Sequence, residues 1–253
     1  MAIGIISAMP EEIDLILSEM ELEEKVHSGM RDYFLGKIHN QNVVAVFSRC
    51  GKVASAVTTT ELITKFDIEQ IIFVGVAGGL QPKVEIGDVV IADQLYQHDM
   101  DASPIFPKLE IPLLNKKAFQ ADPGTTYQLK EACEQMIEKW NDTFDNQILE
   151  EFQIHKPQIH LGEIASGDQF ISNSADREIV SLKLPKALCV EMEGAAVAQV
   201  CYEYGVPFGV VRIISDSANE HAAVHFQKFM DRVASVYSLE IIKNYMEVLS
   251  SQN

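Results

Sequence analysis

The chain lacks most of the short signals that mark a cofactor or metal enzyme. Its four cysteines, Cys50, Cys133, Cys189 and Cys201, contain no CxxC pair. That spacing excludes a zinc ribbon and a dithiol redox centre. The first apolar run, Ala2–Ile6, is followed by Ser7-Ala8-Met9-Pro10 rather than a GxGxxG turn, which argues against a dinucleotide site. Gly51-Lys52 lacks the upstream glycine and the following hydroxyl residue of a P-loop. No serine sits in a GxSxG elbow. His221 and His225 have metal-like spacing, but Ala222 stands where HExxH has its glutamate. His98-Asp99 with Asp101 reads as a loop-ordering hydrogen-bond group rather than a metal pair. No metal and no cofactor are expected.

Cationic residues are also scarce. Lys plus Arg number 20 against 37 Asp plus Glu, a net charge of −17. Such a chain repels phosphate backbones and anionic lipid, so neither nucleic acid nor a membrane is expected as a partner. A neutral or cationic small molecule is easier to accommodate. No apolar stretch approaches the roughly 20 residues needed to cross a bilayer. The opening Met1-Ala2-Ile3-Gly4-Ile5-Ile6 has no basic residues before its apolar run, unlike a secretory leader. Unpaired cysteines suit a reducing compartment, so the expected location is the cytoplasm.

What is present is a regular alternation. Buried strands are expected at Ala2–Ile6, Gln70–Val76, Asp88–Ala92, Ile159–Ser166, Ala187–Val190 and Phe208–Ile214. Tyr33–Ile38 and Val43–Ser48 read as a hairpin around Asn40-Gln41-Asn42. Helical spacing runs over Pro10–Met20, Val53–Phe66, Met192–Tyr204 and His225–Leu249. The last carries Phe226, Phe229, Met230, Val233, Tyr237, Ile241, Tyr245 and Val248 on one stripe. Tyr127–Phe152 reads as a helix whose polar second half is a solvated extension. Alternating strands and helices predict an α/β fold, with a mixed, largely parallel central sheet covered on both faces. No composition shift or repeat divides the chain, so one domain over residues 1–253 is expected. Residues 100–125 hold four of the nine prolines and form a long irregular loop, of the kind that tends to be functional.

In such sheets ligands bind beyond the carboxyl ends of the strands. Those ends supply Met9, Glu11 and Glu12; Cys50 and Gly51; Ala77, Gly78 and Gly79; and Ser166 to Ile171 with Phe170. The later strands supply Glu191, Met192 and Glu193, then Arg212, Ser215 and Asp216. Glu12, Glu193 and Asp216 therefore converge on one edge with one arginine. Singly, Glu11 and Glu12 would complement a helix dipole and Asp216 would cap a helix. Glu191 and Glu193 beside the apolar Ala187–Val190 are harder to explain so, because burying an unpartnered charge costs several kcal/mol.

These residues carry a resemblance. Ile3 to Glu12, Gly51-Lys52-Val53-Ala54, Ala77-Gly78-Gly79-Leu80, Gly87-Asp88-Val89-Val90 and His98-Asp99-Met100-Asp101 look like blocks of the 5′-methylthioadenosine/S-adenosylhomocysteine nucleosidases. So do Ser166 to Ile171, Val190 to Ala196 and Val211 to Asp216. The resemblance implies a nucleoside phosphorylase-like three-layer αβα sandwich and release of adenine in methionine salvage. Adenine is a poor anionic leaving group, so its bond to C1′ breaks once N7 is protonated, with Asp216 as general acid. Glu193 would bind the ribose hydroxyls and stabilise the oxocarbenium-like sugar. Glu12 would activate the water, with Arg212 holding water and carboxylate. The resemblance further implies that Phe170 stacks on adenine, the Ile171 backbone reads its edge and Met192 lies against the ribose. Met9, Cys50 and Phe226 would line the 5′ pocket. Ile105 and Phe106 would come from the partner subunit of a homodimer, and exposed apolar residues in that loop agree.

Departures are visible too. Val76 stands where the family often has serine, and it cannot hydrogen-bond the water or the ribose. Cys50 replaces a branched apolar residue. Residues 141–157 look like an insertion without assigned function. Two other readings stay open. A phosphorolytic transferase would need a dianion pocket, for which Arg49, Lys52 and Arg212 are the candidate cations. A catalytically idle nucleoside-binding protein would not need all three acids.

Overall fold

The computed structural model describes residues 1–144, 146–152, 154–218, 226 and 228–251. In chain order these form β1 (Ala2–Ser7), α1 (Pro10–Glu19), β2 (Glu21–Ser28), β3 (Arg31–Ile38), β4 (Gln41–Phe47), α2 (Lys52–Lys65), β5 (Ile68–Gly79), β6 (Val89–Gln97) and β7 (Ala118–Gln120). There follow α3 (Pro123–Glu138), α4 (Trp140–Thr143), α5 (Asn146–Glu151), β8 (Ile159–Ser166), α6 (Ser174–Lys183), β9 (Ala187–Glu191), α7 (Gly194–Tyr204) and β10 (Phe208–Asp216). A π-helical turn at Met230–Ala234 leads into α8 (Ser235–Ser251).

The central strands are apolar runs because both of their faces are covered. In β5, Ile72 and Val74 enter one core while Ile71 and Phe73 enter the other. Val89 and Ile91 oppose Val90 and Ala92 in β6, and Val211 and Ile213 oppose Val210 and Ile214 in β10. Alternate side chains of a strand point to opposite faces, so one run feeds two cores. Residues of α1, α3 and α8 pack into the first core, and residues of α2 and α7 into the second. The three layers expected from the sequence are therefore present.

Pairing is parallel through β4, β1, β5 and β10, and again through β6, β8 and β9. It is antiparallel along β2-β3-β4 and where β9 meets β5 and β10 meets β6. Because β10 pairs with both β5 and β6, the sheet curls back on itself. This brings the carboxyl ends of β5, β8, β9 and β10 to one rim, joined by the end of β1. Gly78 lies opposite both Asp216 and Val190 in the register, and Ser166 lies opposite Glu191.

Several boundaries differ from expectation for local reasons. The hairpin turns tightly at His39-Asn40, both at positive φ, with Ile38 paired to Gln41. β2 went unread because Glu21–Ser28 is a charged, exposed edge strand without an apolar face. α6 also escaped; Asn173 caps it by accepting from the Asp176 amide at 2.8 Å. α3 begins before Tyr127, at Pro123, because Asp122 accepts from the Thr125 amide at 2.8 Å. The expected final helix starts at His225, which lies outside the described residues, as does His221. Its stripe is buried from Phe229 to Val248, with the π-helical turn inside it.

The largest correction concerns the stretch after α3. It is neither one helix with Tyr127 nor a solvated extension. Trp140, Phe144, Leu149, Phe152 and Ile154 are all buried in the first core. The Trp140 and Phe144 rings lie 4.1 Å apart, Phe144 and Tyr237 4.7 Å, and Phe152 and Phe229 5.6 Å. Trp140, Phe144, Ile148 and Phe152 recur every fourth residue, but the polar residues between them dominate the composition and hid this apolar face. Replacing Trp140 by alanine is expected to cost about 3–5 kcal/mol, the usual range for a buried aromatic truncated to alanine. Urea unfolding measures this; a loss below about 1 kcal/mol would restore the solvated reading.

Candidate active site

At the curled rim lies a cavity enclosed by residues from several strand ends. It is lined by Ala8, Met9 and Glu12 after β1, Cys50 before α2, and Val76, Ala77 and Gly78 at the end of β5. Gln169, Phe170 and Ile171 follow β8, Val190 to Glu193 follow β9, and Ser215, Asp216 and Phe226 complete the wall. Four carboxylates and one arginine meet here while almost shielded from solvent: Glu12 is 2% exposed, Glu191 6%, Glu193 5%, Asp216 4% and Arg212 1%.

Glu12 reaches the cavity because it occupies the first turn of α1 and folds back on the chain that precedes it. Its Oε2 accepts from the Ala8 and Met9 amides at 2.8 and 2.9 Å, and its Oε1 from the Val76 amide at 3.1 Å. Gly75 permits this approach, since a Cβ there would stand 2.8 Å from Glu12 Oε1. Burial raises the Glu12 pKa, although the Arg212 charge and the three amides pull the other way. A carboxylate whose pKa is raised is a stronger base toward water.

Arg212 lies in β10 beneath the cavity and does not line it. Its Nη2 donates to Glu191 Oε2 at 2.7 Å and its Nε to the same oxygen at 3.3 Å. Nη1 donates to the Phe73 and Val211 carbonyls, and the guanidinium lies 4.0 Å from the Phe73 ring centroid. Glu191 Oε2 also accepts from the Glu193 and Gly194 amides at 3.2 and 2.8 Å, and Oε1 accepts from Ser166 Oγ. Both Glu191 oxygens are therefore engaged inside the protein.

Glu193 turns the other way. Its Oε1 accepts from the Gly51 amide at 2.8 Å. Burial, then the Glu191 charge, push its pKa up to about 8, against the Gly51 hydrogen bond and Arg212. The folded protein thus holds a proton that the unfolded chain releases near its ordinary value of 4.5. The stabilisation this gives is fully present below that lower value and is lost as pH rises toward about 8. Asp216 Oδ1 accepts from the Ala218 amide and Oδ2 from Ser215 Oγ, both at 2.7 Å. The Phe170 ring meets Phe226 at a centroid distance of 5.6 Å and an angle of 73°. It stays 44% exposed, leaving a free face for a flat ligand.

The structure therefore gathers Glu12, Glu193, Asp216, Met9, Cys50, Ala77, Gly78, Phe170, Ile171, Glu191, Met192, Ser215 and Phe226 around one cavity. Ile105 and Phe106 are not on its wall; Ile105 lies exposed on the proline-rich loop. Ala8, Gln169 and Val190 also line the cavity. All three lie in the motif blocks Ile3–Glu12, Ser166–Ile171 and Val190–Ala196, but the resemblance assigns none of them a role. Arg49, which kept phosphorolysis open, is exposed and donates to the Met30 carbonyl at 2.7 Å, away from the cavity wall. Among the described residues no group of three or more His, Cys, Asp or Glu is arranged to hold a metal ion.

A curled mixed sheet with helices on both faces and buried acids at its rim defines a nucleoside-processing protein of the phosphorylase superfamily, whose family model matches residues 2–245. A 5′-methylthioadenosine/S-adenosylhomocysteine nucleosidase of Marinomonas sp. (strain MWYL1) is 35% identical over 241 residues, covering 94% of this chain and 96% of that protein. The structure of such a nucleosidase from S. pneumoniae, with a transition-state inhibitor, superposes with a TM-score of 0.84 at 31% identity, covering 98% of this chain and all of the other. A futalosine hydrolase of Helicobacter pylori gives a TM-score of 0.82 at 34% identity, with 97% of each chain covered. The chain belongs to the 5′-methylthioadenosine/S-adenosylhomocysteine nucleosidase family.

Cys50 is the exposed member of the cysteines, the other three being buried, and all four are free thiols. Partial burial, then the charges of Glu193, Glu12 and Glu11, push its thiol up to about 11. Since the thiolate is the nucleophile, alkylation of Cys50 by iodoacetamide at pH 7 is expected to run at least about tenfold slower than that of free cysteine. Timed mass spectrometry reads the rate, and labelling as fast as glutathione would overturn the electrostatic picture.

Proposed function

We propose that this protein hydrolyses the N-glycosidic bond of 5′-methylthioadenosine and S-adenosylhomocysteine, releasing adenine and the 5′-thioribose. The observation that carries the reading is the meeting of Glu12, Glu193 and Asp216 around one cavity floored by Arg212. Asp216 delivers a proton to adenine N7, and the C1′–N9 bonding pair leaves with the base. Positive charge grows on the ribose, where Glu193 holds the hydroxyls and offers a compensating negative charge. Glu12 takes a proton from water as its oxygen bonds to C1′. Phe170 stacks on adenine, and the Ile171 backbone reads the purine edge. Ser215 orients Asp216, Met192 lies against the ribose, and Ala77 and Gly78 leave room for the sugar.

Phosphorolysis is disfavoured for a specific reason. No lysine, arginine or histidine lines the cavity among the described residues, and the buried Arg212 is committed to Glu191. A phosphate dianion would face Glu12 and Glu193 instead. We further propose that residues 1–253 act as one domain, that a homodimer forms with the partner's proline-rich loop closing the 5′ pocket near Met9, Cys50 and Phe226, and that the protein works in the cytoplasm in methionine salvage. The exposed Ile105 and Leu113 on that loop support the dimer.

The direct test is adenine release from 5′-methylthioadenosine with and without phosphate, extended to S-adenosylhomocysteine, deoxyadenosine and aminodeoxyfutalosine. Release is expected without phosphate, and Glu12→Gln and Asp216→Asn are each expected to lose about 10²–10⁴-fold while remaining folded. Phosphate-dependent release, or wild-type rates in either variant, would overturn the assignment.

A second expectation follows from Glu193. Burial and the Glu191 charge make it hold its proton to higher pH than an ordinary carboxyl. A cationic analogue of the ribose transition state favours the ionised form. Its binding should therefore release protons, and its affinity should rise with pH across the neutral range. Calorimetry in buffers of different ionisation enthalpy reads the proton. Identical heats in all buffers would sink the role given to Glu193.

A further inference from the structure

We propose that Lys52 is a positioning residue, tying the adenine-stacking loop and the ribose-side carboxylate to one rigid point through a closed ring with Asp99 and Asp168. The proposal rests on the nucleosidase reading for the identity of the bound base. Lys52 Nζ donates to Asp99 Oδ1 at 2.6 Å. Asp99 Oδ2 accepts from the Asp168 amide at 2.9 Å, and Asp168 Oδ1 accepts from the Lys52 amide at 2.7 Å. The ring thus joins three segments: the turn after β6, the loop after β8 and the first turn of α2.

The geometry gives the ring a task. Gly51 precedes α2 at φ +96° and has no side chain with which to cap the helix. Two carboxylates, one following β9 and one following β8, capture its first amides instead. Glu193 takes the Gly51 N–H and Asp168 takes the Lys52 N–H. Carboxylates at a helix N-terminus are favoured by its dipole. Asp168 lies two residues before Phe170, so the cap that holds α2 also holds the loop bearing the stacking ring. Loss of the ring frees both at once.

An exposed ion pair alone would contribute little. This one differs because it is partly shielded and engages backbone. The Lys52 side chain is 15% exposed, and its Nζ also donates to Gln97 Oε1 at 3.1 Å. Gln97 in turn donates to Gln199 Oε1 on α7 at 2.8 Å. Burial would raise the Asp99 pKa, yet the Lys52 ammonium and the Asp168 amide hold it below the ordinary carboxylate value. Asp99 is therefore ionised at neutral pH, and the ring is charged and closed.

The test is steady-state adenine release from 5′-methylthioadenosine by wild type, Lys52→Met, Asp99→Asn and the double variant, each with a thermal melt. Both single variants are expected to raise KM about tenfold and to lower kcat/KM by about 10- to 100-fold, a cost typical of small misplacements near reacting groups. The double variant is expected to be no worse than either single one, since the residues act as a unit. A merely structural role would lower the active fraction and leave KM unchanged. Unchanged KM in both single variants, or additive losses in the double one, overturns the proposal. If Lys52→Met does not fold, Lys52→Gln and Asp99→Asn make the same comparison. A wild type that releases no adenine overturns the nucleosidase reading and this inference with it, whereas an active wild type beside unchanged variants overturns this inference alone.

Discussion

Arg212 and Glu191 form an ion pair at 2.7 Å, almost fully buried, at the floor of the cavity. Everything above it depends on how that positive charge is shared. Breaking a buried pair by removing one partner strands the other charge, so neither residue is free to vary alone. Arg212 is held on all sides by Glu191, two carbonyls and the Phe73 ring. It neutralises Glu191 first and leaves Glu12 and Glu193 short of cation. Burial raises the pKa of both, and the Arg212 charge opposes that shift without cancelling it. The result is a shielded site with more acid than base. It repels anions and favours a ligand that becomes positive as it reacts.

The backbone does much of the placing. Glu12 is held by three amides from two segments, and the approach is open because residue 75 is glycine. The same carboxylate completes the first turn of α1, so one side chain serves the fold and the site. Val76 stands where the resemblance leads one to expect serine. Its amide still binds Glu12, but its side chain adds an apolar wall in place of a hydroxyl. Cys50 lines the cavity, and partial burial, then the acids around it, raise the pKa of its thiol. Trp140 and Phe144 lie off the cavity wall and pack against Tyr237 in the first core.

Much of the architecture was legible because apolar runs of strand length, such as Ala2–Ile6 and Phe208–Ile214, can be buried on both faces only in a covered sheet. What stayed hidden follows from the same physics. β2 has no buried face to read, and Trp140, Phe144 and Phe152 bury themselves from two short helices, α4 and α5, and their ends, where polar residues outnumber apolar ones. The curl of the sheet, with β10 paired to both β5 and β6, leaves no mark along the chain. The acids were visible as residue types at strand ends. Their division of labour was not, since Glu191 and Glu193 differ only in which partners fold around them.

By itself, the sequence determined the alternation of strands and helices, the short list of acids, and the family to which they point, because these are properties of pattern and residue type. Only the tertiary structure decided that Arg212 serves Glu191, that Glu193 leans on the Gly51 amide 142 positions away, and that Glu12 and Glu193 hold protons more tightly than ordinary carboxyls. Charge depends on burial and on neighbours in space, and neither is a local property of the chain.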